Sequence, residues 1–494
     1  MAKRPNILHL FCDQQRADTI HALGNGVIRT PNFDRLVREG ATFQRAYTPS
    51  PVCVSARCSM IYGQYPLHTG CYDNAPMPQD GRMSFMDALT QAGYRTHGIG
   101  KCHFVPDRAG LRGFQTRETQ EEGVASPDQD NYLTYLRANG FEHLTDPHGV
   151  RGEMYYTPQP AQMPARLHPT QWVGDRATAF LSDTDRKNES WYLYTSFIHP
   201  HPPFAPPVPW HKLYRAPLMP LPNVPADYEA LHLFVNKHQN RYKYRDQGID
   251  LNLLRAIKAY YYGAISFIDY QIGRILTALE ASGQLDNTLI LFSSDHGEYL
   301  GDYHCFGKRG MHDSAARIPL IVRYPERFPS GEICDTPVSL VDIAPTFLAA
   351  SGAELSDHGL DGVDLADLAA GTSTREMVFS QFNKAEQGVY MVADKRWKYM
   401  YSAPDQREFL FDRIADPLET RNRAATPFMK EHASRMRKAL IDHLRENGEL
   451  AALDGENFKM YPKQELPDDP DAGLLIQDAS WGDLRIPGYT DASD

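Results

Sequence analysis

Two short apolar runs, each closed by an aspartate, constrain this chain more than any other feature. "PNILHLFCD" ends at Asp13 and "NTLILFSSD" at Asp295, nearly three hundred residues later. Runs so continuously apolar, bounded by turn residues, suit strands buried on both faces of a parallel sheet. Parallel strands need crossover connections, and "TPNFDRLVREG" predicts one as a helix, with Thr30 as N-cap, Pro31 at the first position and Gly40 as the stop. "SFMDALTQAG" predicts a second helix and "YRTHGIG" a strand after it. The expected fold class is therefore α/β: a large mixed, mostly parallel sheet with helices on both faces.

Further along, residues 105–250 read as loop-rich, and "HPHPPFAPPVPW" holds too many prolines for a helix or a central strand. The strand "WYLYTSFI" leads into it, which places His199 and His201 just past a strand end. Aromatics in this region, among them Trp172, Tyr214 and Phe234, are expected to pack in the core. A long amphipathic helix is predicted over roughly Leu251 to Ser282, then the strand ending at Asp295, the strand "IPLIVRYP" and the helix "SLVDIAPTFLAASG". After about residue 370, "MVFSQFN", "GVYMVADKRWKYMYS" and "EFLFDRI" predict a smaller antiparallel sheet, with "FMKEHASRMRKALIDHLRENG" as a helix packed on it. The expected division is 1–370 as the catalytic domain, 371–460 as the small subdomain and 461–494 as an extended arm, read as reaching a neighbouring subunit of a homo-oligomer.

A length of 494 residues with 42% hydrophobic and 23% charged residues is that of an ordinary globular chain. The net charge of −11 excludes nucleic acid and anionic membranes as expected partners, so an anionic substrate would need local cations. No stretch is apolar and long enough to span a bilayer, and the seven cysteines follow no framework spacing. Both observations point to a cytoplasmic protein.

Ligands of open α/β sheets bind beyond the carboxyl ends of the strands, so Asp13 with Gln14 and Asp295 with His296 are placed on one crevice. Two carboxylates, an amide oxygen and an imidazole suit a divalent cation, with Ca²⁺ or Mg²⁺ favoured by the oxygens and Mn²⁺ tolerating the nitrogen. In "SPVCVSARCSMIYGQ", Val54 to Tyr62 predicts a short helix closed by Gly63, with Cys53 at its positive end and Arg57 on the same face. By themselves these residues also fit a buried thiol and a surface arginine.

Taken together, the pieces resemble the sulfatase branch of the alkaline phosphatase superfamily. "CVSARCSMIYGQ" is similar to its signature, in which the cysteine becomes formylglycine. "PNILHLFCDQQRAD", "GKCHF", "HPHPPF", "SSDHGEYLGDYHCFGK" and "EFLFDRIADPLETRN" resemble its other motifs, in the same order along the chain. The resemblance implies a metal-dependent hydrolase of small sulfate esters that releases sulfate and an alcohol. It implies Cys53, as formylglycine, for the nucleophile, and Asp13, Gln14, Asp295, His296 and residue 53 around one divalent cation, with Ca²⁺ the first expectation. Arg57 would steady the nucleophile, Lys101 and Lys308 would neutralise the transferred group, and His103 and His201 would move protons, His201 at the leaving group. Asn74 in "YDNAP" matches a segment of choline-sulfatase-like relatives and would lie near the ester, giving Asn74, Lys101, His201 and Lys308 as substrate contacts. A formylglycine-generating enzyme is the implied partner.

The chain departs from the family pattern at Ser55, where Pro or Ala is usual, at Gln14, where a second Asp is usual, and at His296, which replaces a frequent Asn. The Asp-Gln and Asp-His set also resembles phosphonate monoester hydrolases and choline sulfatases. A phosphonate monoester or phosphodiester hydrolase with the same machinery is thus the alternative. A non-catalytic anion-binding relative is a further reading, and a thiol redox protein lacks any C-x-x-C pair.

Overall fold

The computed structural model describes residues 4–123, 127–151, 154–183, 189–243 and 250–467. Its centre is an eight-stranded sheet whose strands lie in the spatial order Thr116–Thr119, Arg95–Gly100, Trp191–Pro200, Asn6–Asp13, Thr288–Ser294, Leu320–Arg323, Ala41–Phe43 and Glu332–Cys334. Within this sheet Leu320–Arg323 runs antiparallel to both of its neighbours, and the other pairings are parallel. The sheet is mixed and mostly parallel, as the apolar runs predict.

Side chains of the opening strand explain the layers. Leu8, Leu10 and Cys12 point into one core cluster, shared with the helices Pro31–Glu39, Pro169–Ser182 and Leu251–Ala281. Ile7 and Phe11 point into another, shared with the helices Cys53–Tyr62, Phe85–Gln91 and Ile343–Ser351. Alternation along one strand thus feeds two cores, one on each face. The central strands are buried at every position, so backbone pairing and side-chain burial both favour this arrangement.

The helix predicted after Thr30 is present as Pro31–Glu39, but the Thr30 hydroxyl does not cap it: it accepts from His21 N at 2.9 Å and donates to Asp34 Oδ1 at 3.1 Å. Ser84 does cap the helix Phe85–Gln91, through a reciprocal box with Asp87. The loop-rich reading of 105–250 needs correction. This region contains the helices Asn131–Ala138, Pro169–Ser182 and Phe234–Lys243. In Pro169–Ser182, Pro169 occupies the first turn, where its missing N–H costs nothing, and His168 supplies the cap. His199 also lies within the strand Trp191–Pro200, at an irregular end, and His201 follows it.

Strands Val378–Phe382, Val389–Ala393, Trp397–Ser402 and Arg407–Asp412 form a separate antiparallel sheet. One face carries the helix Lys430–Glu446, through Met436, Leu440 and Leu444. The other packs on the main body through Met391, Met400 and Phe409, which join Tyr47, Val52 and Tyr299 in one apolar cluster. Of the arm expected over 461–494, everything past 467 lies outside the described residues.

Candidate active site

Strand register brings the site together. Cys12 pairs with Ser294, so Asp13 and Asp295 are the next residues on two adjacent parallel strands. Asp13 pairs with Pro200, which sets His201 beside it, and Gly100 pairs with Ser196, which sets Lys101 on the next strand along. Four neighbouring strand tips therefore deliver four functional groups to one place.

The helix Cys53–Tyr62 points its first residue at this place. Gly63 ends it in the left-handed region at φ 63°, and a Cβ there would lie 2.7 Å from Leu360 Cδ2. Asn74 Oδ1 accepts from Val54 N at 3.1 Å, closing an N–H that the first helical turn leaves open. Ser55 has its own partner: its hydroxyl donates to the Cys71 carbonyl at 2.5 Å.

Cys53 Sγ lies 3.7 Å from Asp13 Oδ1, 3.3 Å from His296 Nε2 and 2.8 Å from Lys308 Nζ. Donor atoms of Asp13, Cys53, Asp295 and His296 all fall within 4.8 Å of one another, and all four residues are buried. Gln14 N donates to Asp295 Oδ1 at 2.9 Å, and Gln14 Oε1 accepts from Lys308 Nζ at 2.9 Å. Gln14 holds a left-handed backbone conformation at φ 67°, and His103 does so at φ 57°. Such conformations are costly for residues with a Cβ and cluster at functional sites.

Arg57 is fully buried and joins the two carboxylates. Its Nη2 donates to Asp13 Oδ2 at 3.1 Å and its Nε to Asp295 Oδ2 at 3.0 Å. Its Nη1 reaches Lys101 O at 2.7 Å, Tyr194 Oη at 3.1 Å and Ser196 Oγ at 3.2 Å. Lys101 Nζ stands 2.7 Å from Asp13 Oδ2 and also pairs with Glu122.

The electrostatics follow from this crowding. Burial pushes the Asp13 carboxyl up, but Lys101, His201, Arg57 and Lys308 outweigh it and hold Asp13 well below the usual carboxylate range. Asp295 is pushed up to about 6, first by burial and then by the charge of Asp13. Two carboxylates are thus pressed into a space that a cation would relieve. Burial and Asp13 push the Cys53 thiol up to about 11, so it remains a thiol at neutral pH and a poor nucleophile. Burial lowers His296, and its Nδ1 faces the Gly297 carbonyl at 3.0 Å. The Nδ1–H donates there, leaving the Nε2 lone pair toward Cys53.

His201 Nδ1 faces the Pro202 carbonyl at 2.6 Å, which fixes the tautomer, and its Nε2 is buried without a partner. Glu122 Oε1 lies 3.7 Å from His201 Nδ1. His103 is buried, its backbone N–H donates to Glu121 Oε1 at 3.1 Å and its ring Nδ1 has no partner. Burial and then Lys101 hold its imidazole well below the usual range. His199 faces elsewhere, with Nδ1 3.3 Å from Thr170 Oγ1 and its ring stacked on His168. His201, not His199, is thus the histidine of this loop that lies beside Asp13 and Glu122.

Among the described residues two acidic groups at the site escaped the sequence reading. Glu298 accepts from the Gln14 side-chain amide, from Tyr156 Oη at 3.2 Å and from Leu300 N at 3.0 Å. Glu122 pairs with Lys101 and Arg151. Glu298 sits three residues past Asp295, which was a usable signal; Glu122 sits in a stretch with no periodicity. Of the aromatics, Trp172 packs in the core and Tyr214 donates or accepts at Ser266 Oγ, 2.6 Å away. Phe234 instead lines a cavity of about 370 Å³ with Asp73, Gln239 and Arg309. Gln239 Nε2 in turn donates to the Lys308 carbonyl at 2.5 Å.

The family model for sulfatases matches residues 5–353, and that for the C-terminal part of N-sulphoglucosamine sulphohydrolase matches residues 301–446. This chain belongs to the sulfatase family. An arylsulfatase of Clostridium perfringens is 30% identical over 94% of this chain and 99% of its own length. A choline-sulfatase of Rhizobium meliloti is 30% identical, over 86% of this chain and 83% of the relative. The crystal structure of a phosphonate monoester hydrolase of Agrobacterium radiobacter superposes with a TM-score of 0.80 at 26% identity, covering 91% of this chain and 98% of that one. Membership in the sulfatase family bears out both the fold and the expected sulfuric ester hydrolase. Among the described residues no helix is long and apolar enough to cross a membrane.

Proposed function

We propose that this sulfatase hydrolyses small sulfate esters with a formylglycine formed from Cys53 and one divalent cation, Ca²⁺ first, held by Asp13, Gln14, Asp295, His296 and residue 53. The carrying observation is the buried set of donor atoms within 4.8 Å, with Cys53 among them. The donors fit a hard cation: two carboxylates, an amide and one imidazole nitrogen, with Asp295 still seeking positive charge. When bound, the cation supplies charge that favours an ionised nucleophile and a negative transferred group. The aldehyde, once hydrated, supplies one hydroxyl to attack sulfur and a second whose proton loss expels sulfate and restores the aldehyde.

The chain's own residues do the rest. Lys101, beside Asp13, and Lys308, beside Cys53, place two ammonium groups on the transferred group. His201 presents Nε2 to the departing oxygen; burial holds its imidazole well below the usual range in the free protein, and Glu122, 3.7 Å from Nδ1, together with the negative transferred group favours the imidazolium that gives the proton. His103, held neutral, takes the proton from the second hydroxyl. Asn74 fixes the helix end that aims residue 53. The alcohol part of the ester is read as lodging in the cavity beside Phe234 and Gln239.

The phosphonate monoester and phosphodiester reading is kept because the structural likeness to a phosphonate monoester hydrolase is strong and both substrates are monoanions. Residues 1–370 are proposed as the catalytic unit, with 371–460 as a subdomain, and the chain as a cytoplasmic homo-oligomer served by a formylglycine-generating enzyme. Seven unpaired cysteines support the compartment.

The test is the mass of the peptide carrying residue 53, which falls by about 18 Da on conversion of thiol to aldehyde, with parallel assays on an aryl sulfate and an aryl phosphonate monoester. An unconverted thiol in active enzyme from the native host overturns the reading. A higher kcat/KM on the phosphonate ester moves it to the alternative.

A further inference from the structure

A cavity of about 670 Å³ lies at the carboxyl edge of the main sheet, where the loop after Asp13, the strand Ala41–Phe43 and the start of Leu320–Arg323 meet the long helix Leu251–Ala281. It shares no lining residue with the donor set at Cys53. Its volume falls in the range of small-molecule sites, and the carboxyl edge is where open α/β sheets place ligands.

One lining residue stands out. Lys258, two turns into the long helix, is only 8% exposed and faces this cavity. Among the described residues no hydrogen bond or ion pair reaches its ammonium. The carboxylates nearest in charge, Asp302 and Asp18, are both committed. Asp18 takes Arg16 Nε at 2.8 Å and Nη2 at 2.6 Å through its two oxygens. Asp302 takes Arg16 at 2.8 Å and Ser314 Oγ at 2.7 Å through one oxygen, and Asn223 N at 2.8 Å through the other. Arg317, also on the lining, is answered by Asp313 at 3.2 Å. Burial lowers the Lys258 ammonium from its usual range, which is the signature of a desolvated cation short of a counter-charge.

The remaining lining is mixed, with Asn25, Thr42, Gln44 and Asn223 beside a set of apolar side chains. Leu23 and Phe43 line the interior, while Val27, Leu221 and Leu418 at the mouth are 37%, 43% and 60% exposed. A cation without a partner beside such apolar side chains selects a ligand with an anionic head and an apolar body. We propose that this cavity binds a small amphipathic organic anion, with the anionic head on Lys258 and the apolar part against Phe43, Leu221 and Leu418. The occupant is not the ester under attack, because the cavity is separate from the reacting groups.

Isothermal titration calorimetry on the full-length, metal-loaded enzyme tests this with 2-naphthoate, which has no ester to hydrolyse, and its neutral amide. The naphthoate binds one to one, the amide binds about tenfold or more weaker, and Lys258→Met abolishes that difference. Lys258→Met also melts no lower than the parent, since it removes a desolvated charge that has no partner. Leu418→Glu, at an exposed position, provides a second variant free of folding cost and weakens the naphthoate by charge repulsion. Lys308→Ala leaves binding unchanged. Equal affinity in the parent and Lys258→Met, no binding by the parent at millimolar naphthoate, or loss of binding in Lys308→Ala each overturns the proposal.

Discussion

Arg57 and Asp295 meet at 3.0 Å inside a wall that excludes water, and the same guanidinium holds Asp13 at 3.1 Å. One cation thus keeps two neighbouring carboxylates compatible with folding, before any metal arrives. Arg57→Met leaves both acids buried without it. In metal-stripped protein it lowers the unfolding free energy by about 3–5 kcal/mol, as measured by urea denaturation, and in loaded enzyme it lowers kcat by about 10²-fold or more. A stability loss below about 1 kcal/mol would show that the bridge is dispensable.

His9 lies directly under the site on the opening strand, fully buried, with Nδ1 3.1 Å from Tyr192 Oη and Nε2 without a partner. Burial first and then Arg57 push its imidazole down to about 3. An unfolded chain takes up a proton at His9 near pH 6.5, whereas the folded one does not until about pH 3. The unfolded state therefore binds more protons between these values, and stability falls as pH drops through that window. His9→Leu removes this contribution: relative to the parent it gains about 2 kcal/mol on going from pH 7.5 to pH 5. Denaturation curves at the two pH values measure it, and parallel behaviour of the two proteins would refute the assignment.

Glu298 holds Gln14 by its side-chain amide and anchors its own loop through Leu300 N. It touches no proposed reacting atom, so its effect is on the cation. Glu298→Gln is expected to weaken metal retention about 10–100-fold, read by metal analysis after graded chelation, while Asp13→Asn and Asp295→Asn lose the ion outright. Full activity restored by added Ca²⁺ separates weakened retention in Glu298→Gln from damage to the fold.

Asn74 joins its loop to the second N–H of the helix that begins at Cys53. Asn74→Ala costs about 1 kcal/mol of stability, and it lowers kcat/KM because residue 53 loses its fixed aim. Asn74→Asp keeps the acceptor, and its Tm stays near the parent's. Equal melting of Asn74→Ala and the parent would show that the bond carries no weight.

Local chemistry was enough to define the strands ending at Asp13 and Asp295, the helix after Pro31 and the short helix that carries Cys53 and Arg57. Hydrophobic runs, Pro at a helix start and Gly at its stop act over a few residues, so they are readable in order along the chain. The same reading failed over 105–250, where Pro169–Ser182 hides among prolines that suggest loop. For the site it named Lys101, His103, His201, Lys308 and Asn74 by collinear resemblance, yet passed over Glu298 and Glu122, whose partners are remote.

What the sequence determined by itself is therefore the inventory: two acid-tipped strands, a cysteine at a helix start, and lysines and histidines at strand ends. What only the tertiary structure decided is which of them meet. Gln14 N reaches Asp295 across 281 residues of chain, His201 turns toward Glu122 while His199 turns toward Thr170, and Lys258 is left facing a cavity with no ion-pair partner among the described residues. Those outcomes depend on strand register and on the competition of buried charges for partners, and neither is encoded in any local stretch of residues.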